Sequence, residues 1–145
     1  MPERETVDRA REDAREGKSA STQAGEFVRE EMHHIREGKH GAASTKQAIA
    51  IGLSKARRAG VKLPAKGSAS TQKKAEQDAR ASQSRRKPSR TRSRAASNAL
   101  KREPRSAASP GSLSRQAKSS AVSRGKRARS VAAKKAAQTR TRRAA

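Results

Sequence analysis

STKQAIAIGLSKARRAG (44–60) is the stretch on which the fold reading turns. Ser44 followed three residues later by Gln47 is a capping-box pattern, in which a serine hydroxyl and a glutamine amide satisfy free backbone groups at a helix start. Gly60, Val61 and Pro64 mark the stop. Between them Ala48, Ile49, Ile51, Leu53, Ala56 and Ala59 form a broad apolar face, while Lys46, Ser54, Arg57 and Arg58 lie around the other side. An amphipathic helix therefore ends at Gly60.

Working back from it, a second helix is expected from about Thr22 to Glu37, capped by Ser21 or Thr22 and terminated by Gly38. Ala24, Phe27, Val28, Met32 and Ile35 share one of its faces. About six residues join the two helices, a length that brings neighbours together as an antiparallel pair. A weaker helix precedes them. Pro2 suits its first turn, Glu5 and Arg9 stand four apart among other opposite charges, and Gly17 ends it. Its apolar face is only Val7, Ala10 and Ala14.

Working forward, the composition changes. Residues 1–45 hold 8 Lys/Arg against 10 Asp/Glu; residues 46–67 hold 6 basic and no acidic groups; residues 68–145 hold 23 basic against 3 acidic. The formal charge of +24 thus belongs mostly to the C-terminal half. Leu, Ile, Val and Phe number only 13 of 145 residues, too few to bury enough apolar surface to order the whole chain by a core of its own. The expected architecture is mainly α: a small helical module of two or three short helices over 1–67, followed by a long disordered or transiently helical Lys/Arg/Ser/Ala tail over 68–145.

A short element recurs: KSASTQ (18–23), KHGAASTKQ (39–47) and KGSASTQ (66–72), with Ser21, Ser44 and Ser70 in register. The spacing is that of an imperfect helix-sized repeat. Repeated capping is the preferred reading over a phosphate-binding element, although free N–H groups at helix starts do attract anions.

KQAIAIGLSKARRAG (46–60), together with STQAGEFVREEMHHIREGKHG (21–41), resembles a family of small, basic bacterial proteins that share a domain of unknown function. The resemblance spans roughly residues 1–67, and members are sometimes labelled DNA-binding or plasmid-stabilisation proteins. It implies a bacterial origin and a helical module to which the basic tail is an extension. It carries no catalytic residues across and names no substrate.

The charge excess points to a polyanion. Each Lys or Arg that neutralises a phosphate releases condensed counterions, so binding to DNA or RNA is favoured and falls with salt. The candidate nucleic-acid contacts are Lys55, Arg57, Arg58 and Lys62 beside the third helix, the cluster Arg85, Arg86, Lys87, Arg90, Arg92 and Arg94, and Lys126, Arg127 and Arg129. Sequence-specific reading is not expected: Phe27 is the only aromatic residue, which removes base stacking, and no complete reader motif is present. His33, His34 and His40, with Glu30 and Glu37 in reach, invite a metal reading, but adjacent histidines point about 100° apart on a helix. No metal ligand is assigned, no cofactor is implied, and neither a phosphate loop nor a nucleophile motif marks an enzyme or a small-molecule substrate.

Two other readings compete. Residues 20–60 could serve protein partners or self-association through Phe27, Val28, Ile35, Ile49 and Leu53, with the tail as an electrostatic anchor. The polarity and the lack of Cys, Trp and Tyr also suit a hydrophilic stress-protective protein, though such proteins rarely need charge of one sign. PERETVDRARED (2–13) has no apolar signal core, and the longest apolar run is Ala48–Ile51, so the expected place is the cytoplasm, at the bacterial nucleoid, with no membrane partner.

Overall fold

The computed structural model describes residues 2–84 and 89–144, with side chains excluded at 143 and 144. Every regular element among them is helical: α1 (Arg4–Arg15), α2 (Ala20–Arg36), α3 (Thr45–Arg58), α4 (Ala69–Gln83), α5 (Arg90–Arg102), a 3-10 turn (Arg105–Ala108), α6 (Pro110–Ser123) and α7 (Gly125–Ala144). The chain divides into two compact units, Met1–Ser109 and Pro110–Ala145.

The expected starts and stops in the first unit follow local chemistry. Ser44 Oγ accepts from Gln47 N at 3.2 Å, and Gln47 Oε1 reaches back one residue beyond the cap to accept from Ala43 N at 2.8 Å. Helix α2 begins two residues earlier than expected, because Ser19 rather than Ser21 or Thr22 is its cap. Ser68 repeats that arrangement at α4. Ser19 Oγ lies 2.8 Å from Ser21 Oγ and 3.0 Å from Thr22 Oγ1; Ser68 Oγ lies 2.9 Å from both Ser70 Oγ and Thr71 Oγ1. Gln23 and Gln72 each donate back to the carbonyl preceding the cap, at 2.9 Å. The SASTQ repeat is therefore a helix-start device, with the capping serine two residues ahead of the one that sequence alignment pairs with Ser44.

Helices α1 and α2 run antiparallel: Glu3 N donates to Glu30 Oε2 at one end, and Arg9 Nε donates to Glu26 Oε2 at 2.8 Å toward the other. Helices α2 and α3 are also antiparallel, with Val28 against Gly52 and Ala24 and Ala56 in one buried cluster with Phe27 and Ala10. A Cβ on Gly52 would stand 2.8 Å from Val28 Cα, so the absence of a side chain is what lets these backbones approach. Val7, Leu53, Val61 and Leu63 pack around the cluster, and Phe27 and Ile35 are fully buried. The apolar face that a helix pair alone would leave open is closed by α1 and by the chain that follows α3.

That following chain corrects the expectation of a disordered or transiently helical tail over 68–145: it is helical over most of its length. Two physical causes account for it. First, Ala, Lys and Arg are good helix formers, and the serines and threonines do not interrupt them. Ser68 caps a helix, while Ser82, Ser123, Thr139 and Thr141 hydrogen-bond carbonyls three or four residues back. Second, residues 68–109 dock on the module through polar contacts. Asp78 of α4, almost fully buried, accepts from Ser54 Oγ at 2.6 Å and from Arg58 Nε at 3.0 Å on α3. Gly41 N donates to Leu100 O and Ala42 N to Pro104 O, at 2.8 and 3.1 Å. Thr45 Oγ1 donates to Ala107 O at 2.6 Å, Arg36 Nε donates to Ala108 O at 3.0 Å, and both alanines are buried. A side chain at Gly41 would collide with Glu103 O, which its Cβ would approach to 1.9 Å.

In the second unit Leu113, Gln116, Ser120 and Ala121 of α6 are half-buried, and α6 packs with α7. Val122 and Val131 are exposed. No helix among the described residues is long and apolar enough to cross a membrane.

Candidate functional site

Two groupings of candidate side chains emerge, one cationic and spread along the later helices, the other acidic and interior. The cationic one follows from sequence order. Asp and Glu end at Glu103, so Pro110–Ala145 holds eleven Lys/Arg and no acidic residue. Among the described residues, the acidic partners in ion pairs all lie between Glu3 and Asp78. On α7 Lys126, Arg127, Arg129, Lys134, Lys135, Arg140 and Arg142 are exposed. At 3.6 residues per turn they are distributed around the whole helix rather than along a face. On α5 Arg90, Arg92 and Arg94 are exposed, and Arg90, Arg94 and Lys101 line one side at helical spacing.

The candidates beside α3 are placed differently. Lys62 is exposed, and Arg57 is half-buried with its Nε unpartnered. Arg58 is exposed but holds Asp78, with Nη2 2.9 Å from Oδ1. Lys55 turns inward to Glu30 and Glu31, 3.2 and 2.7 Å away. Arg85, Arg86 and Lys87 lie outside the described residues. The structure thus brings Arg57, Arg58 and Lys62 onto one end of α3 and sets the α5 and α7 candidates on separate helices.

The interior grouping is built on α2. Glu30 and Glu31 are both buried, an arrangement that costs free energy unless each charge is matched. Burial pushes the Glu30 carboxyl up, but hydrogen bonds from Thr6 and from Glu3 N, together with the Lys55 ammonium, outweigh it and hold the group below the usual carboxylate range. Glu31 is less well served. Lys55 Nζ is close to Oε2, yet neither carboxylate oxygen has a partner in hydrogen-bond geometry.

Two histidines flank Glu31. His34, one turn on, lies with Nε2 2.8 Å from Glu3 Oε1. This bond, with help from Lys39, holds the Glu3 carboxyl below its ordinary range. His40, in the loop between α2 and α3, lies with Nδ1 3.1 Å from Gly41 O and Nε2 3.4 Å from Glu31 Oε1. The two rings meet edge to face with centroids 6.1 Å apart. His33 faces solvent, as the 100° offset between neighbours requires. The pairing of Glu31 with His34 and His40 was missed by sequence reasoning, which weighed Glu30 and Glu37 instead. The available signal was the Glu-x-x-His spacing, which sets both side chains on one helix face.

Residues 15–67 match the model of DUF6496, a family of unknown function. The match covers α2 and α3 and stops before α4. Searches against curated proteins and against solved structures found no match.

Proposed function

We propose that the protein binds nucleic acid, DNA foremost, through the phosphate backbone without reading sequence, in a nucleoid-associated or accessory role. The observation that carries this reading is the run of cations beyond residue 109 with no acidic residue among them. A helix of twenty residues is about 30 Å long, close to one turn of duplex. With cations on all sides, α7 suits a groove whose two walls are both phosphate, and its alanines let the backbone come close. The α5 arginines and the end of α3 offer further phosphate contacts on the first unit.

Release of counterions makes the affinity steeply salt-dependent. If all seven exposed α7 cations meet phosphates, log affinity falls against log salt with a slope of about −6, at roughly 0.9 per neutralised phosphate. Electrophoretic mobility shift across a salt series tests this, using duplexes of unrelated sequence. Comparable affinity for all of them is expected. Absence of binding to both DNA and RNA in dilute salt refutes the reading, and strong preference for one sequence refutes its non-specific form.

A further inference from the structure

Buried charge around α2 does not balance. Glu30 and Glu31 share one ammonium, that of Lys55, and Glu31 keeps two carboxylate oxygens without hydrogen-bond partners while fully buried. One negative charge is left to be met. His40 beside it is arranged as an acceptor toward it. With Nδ1 donating to Gly41 O, neutral His40 presents the lone pair of Nε2 to Glu31 Oε1. Two lone pairs facing one another repel unless a cation stands between them.

The spacing fits such a cation. Donors bound at about 2.0–2.1 Å in tetrahedral geometry stand about 3.4 Å apart, which is the separation of His40 Nε2 from Glu31 Oε1. One ligand atom from each of Glu31, His34 and His40 lies within 4.8 Å of the others, so all three converge on one place. The outer partners are those that orient metal-bound imidazoles: a backbone carbonyl on His40 and the Glu3 carboxylate on His34, which fixes the proton on Nε2 and frees Nδ1. Lys55 on the far oxygen of Glu31 steadies the carboxylate.

We propose that Glu31, His34 and His40 are the protein ligands of a divalent transition-metal cation, zinc being the best match to two imidazoles and a carboxylate. The ion ties the end of α2 to the loop that leads into α3, the loop whose backbone also receives Leu100 and Pro104. With three protein ligands one position stays open to water.

The test uses untagged full chain stripped with a chelator and titrated with cobalt(II), then zinc. A single cobalt ion per chain is expected, with the visible absorption of a low-coordinate nitrogen and oxygen site, displaced by zinc. Ring resonances of His34 and His40 shift and those of His33 do not. Glu31→Gln and His40→Ala each weaken binding by about tenfold or more, whereas His33→Ala leaves it intact. Should Glu31→Gln fail to fold, His40→Ala, in a loop and partly exposed, carries the test. No uptake by the folded chain overturns the site. Uptake that His40→Ala does not weaken, or that His33→Ala abolishes, overturns it equally.

Discussion

Lys55 sets its ammonium 2.7 Å from Glu31 Oε2 and 3.2 Å from Glu30 Oε1, so a cation on the most basic stretch of the module is committed to the interior. Removing it as Lys55→Met leaves two buried carboxylates without their ammonium. A loss of about 3–5 kcal/mol is expected, since an orphaned buried charge is costly. Urea denaturation followed by circular dichroism measures it. DNA affinity per folded molecule should hardly change; a large fall in affinity with unchanged stability would mean that Lys55 faces phosphate instead.

Gly52 against Val28 sets how closely α2 and α3 can approach. Gly52→Ala places a methyl carbon where Val28 Cα is 2.8 Å away, and backbone cannot yield as a flexible side chain can. Overpacking of this kind costs about 1–3 kcal/mol, against the gain that alanine brings to an exposed helix. A thermal midpoint equal to or above the parent's would show that the crossing is looser than described.

Asp78 is the hinge pin of α4. Replacing it with alanine removes the acceptor of Ser54 and Arg58, and hydrogen bonds to a charged group contribute about 1.5–3 kcal/mol. Hydrogen exchange should then show residues 69–83 losing protection while α2 and α3 keep theirs. Equal protection in both would place the attachment of α4 elsewhere.

Gly41→Ala strikes a second attachment, where a Cβ would meet Glu103 O at 1.9 Å. The hydrogen bonds from Gly41 N to Leu100 O and from Ala42 N to Pro104 O must then open, so faster exchange at the amides of 41 and 42 is expected with α1–α3 still folded. Unchanged exchange there would contradict the docking.

These sites show what the sequence made legible. The α2–α3 pair could be read because its signals are local: Ser44 and Gln47 close a cap within four residues, and Ala24, Phe27 and Ile35 on α2, like Ala48 and Ala56 on α3, recur at helical period. The docking of 68–109 could not, because Asp78 is one of three acids in a basic stretch, with nothing local to tell it from Glu76, and Thr45 meets a carbonyl 62 residues away. Counting large aliphatics also misled, since Ala75, Ala107 and Ala108 are buried without being large. At the candidate sites, the cations of α5 and α7 were legible as charge. Glu31 was hidden because its partner His40 lies beyond the helix end, where periodicity gives no direction.

On the proposed function, the cations beyond Ser109 supply most of the affinity for a polyanion. Binding of a duplex by the full chain should be compared with that of a chain ending at Ser109, which keeps the first compact unit whole, over the same salt series. The truncated protein should remain folded, bind far more weakly and show a salt slope shallower by about 0.9 for each phosphate no longer neutralised. Equal affinity and equal slope in the two proteins would contradict the proposal.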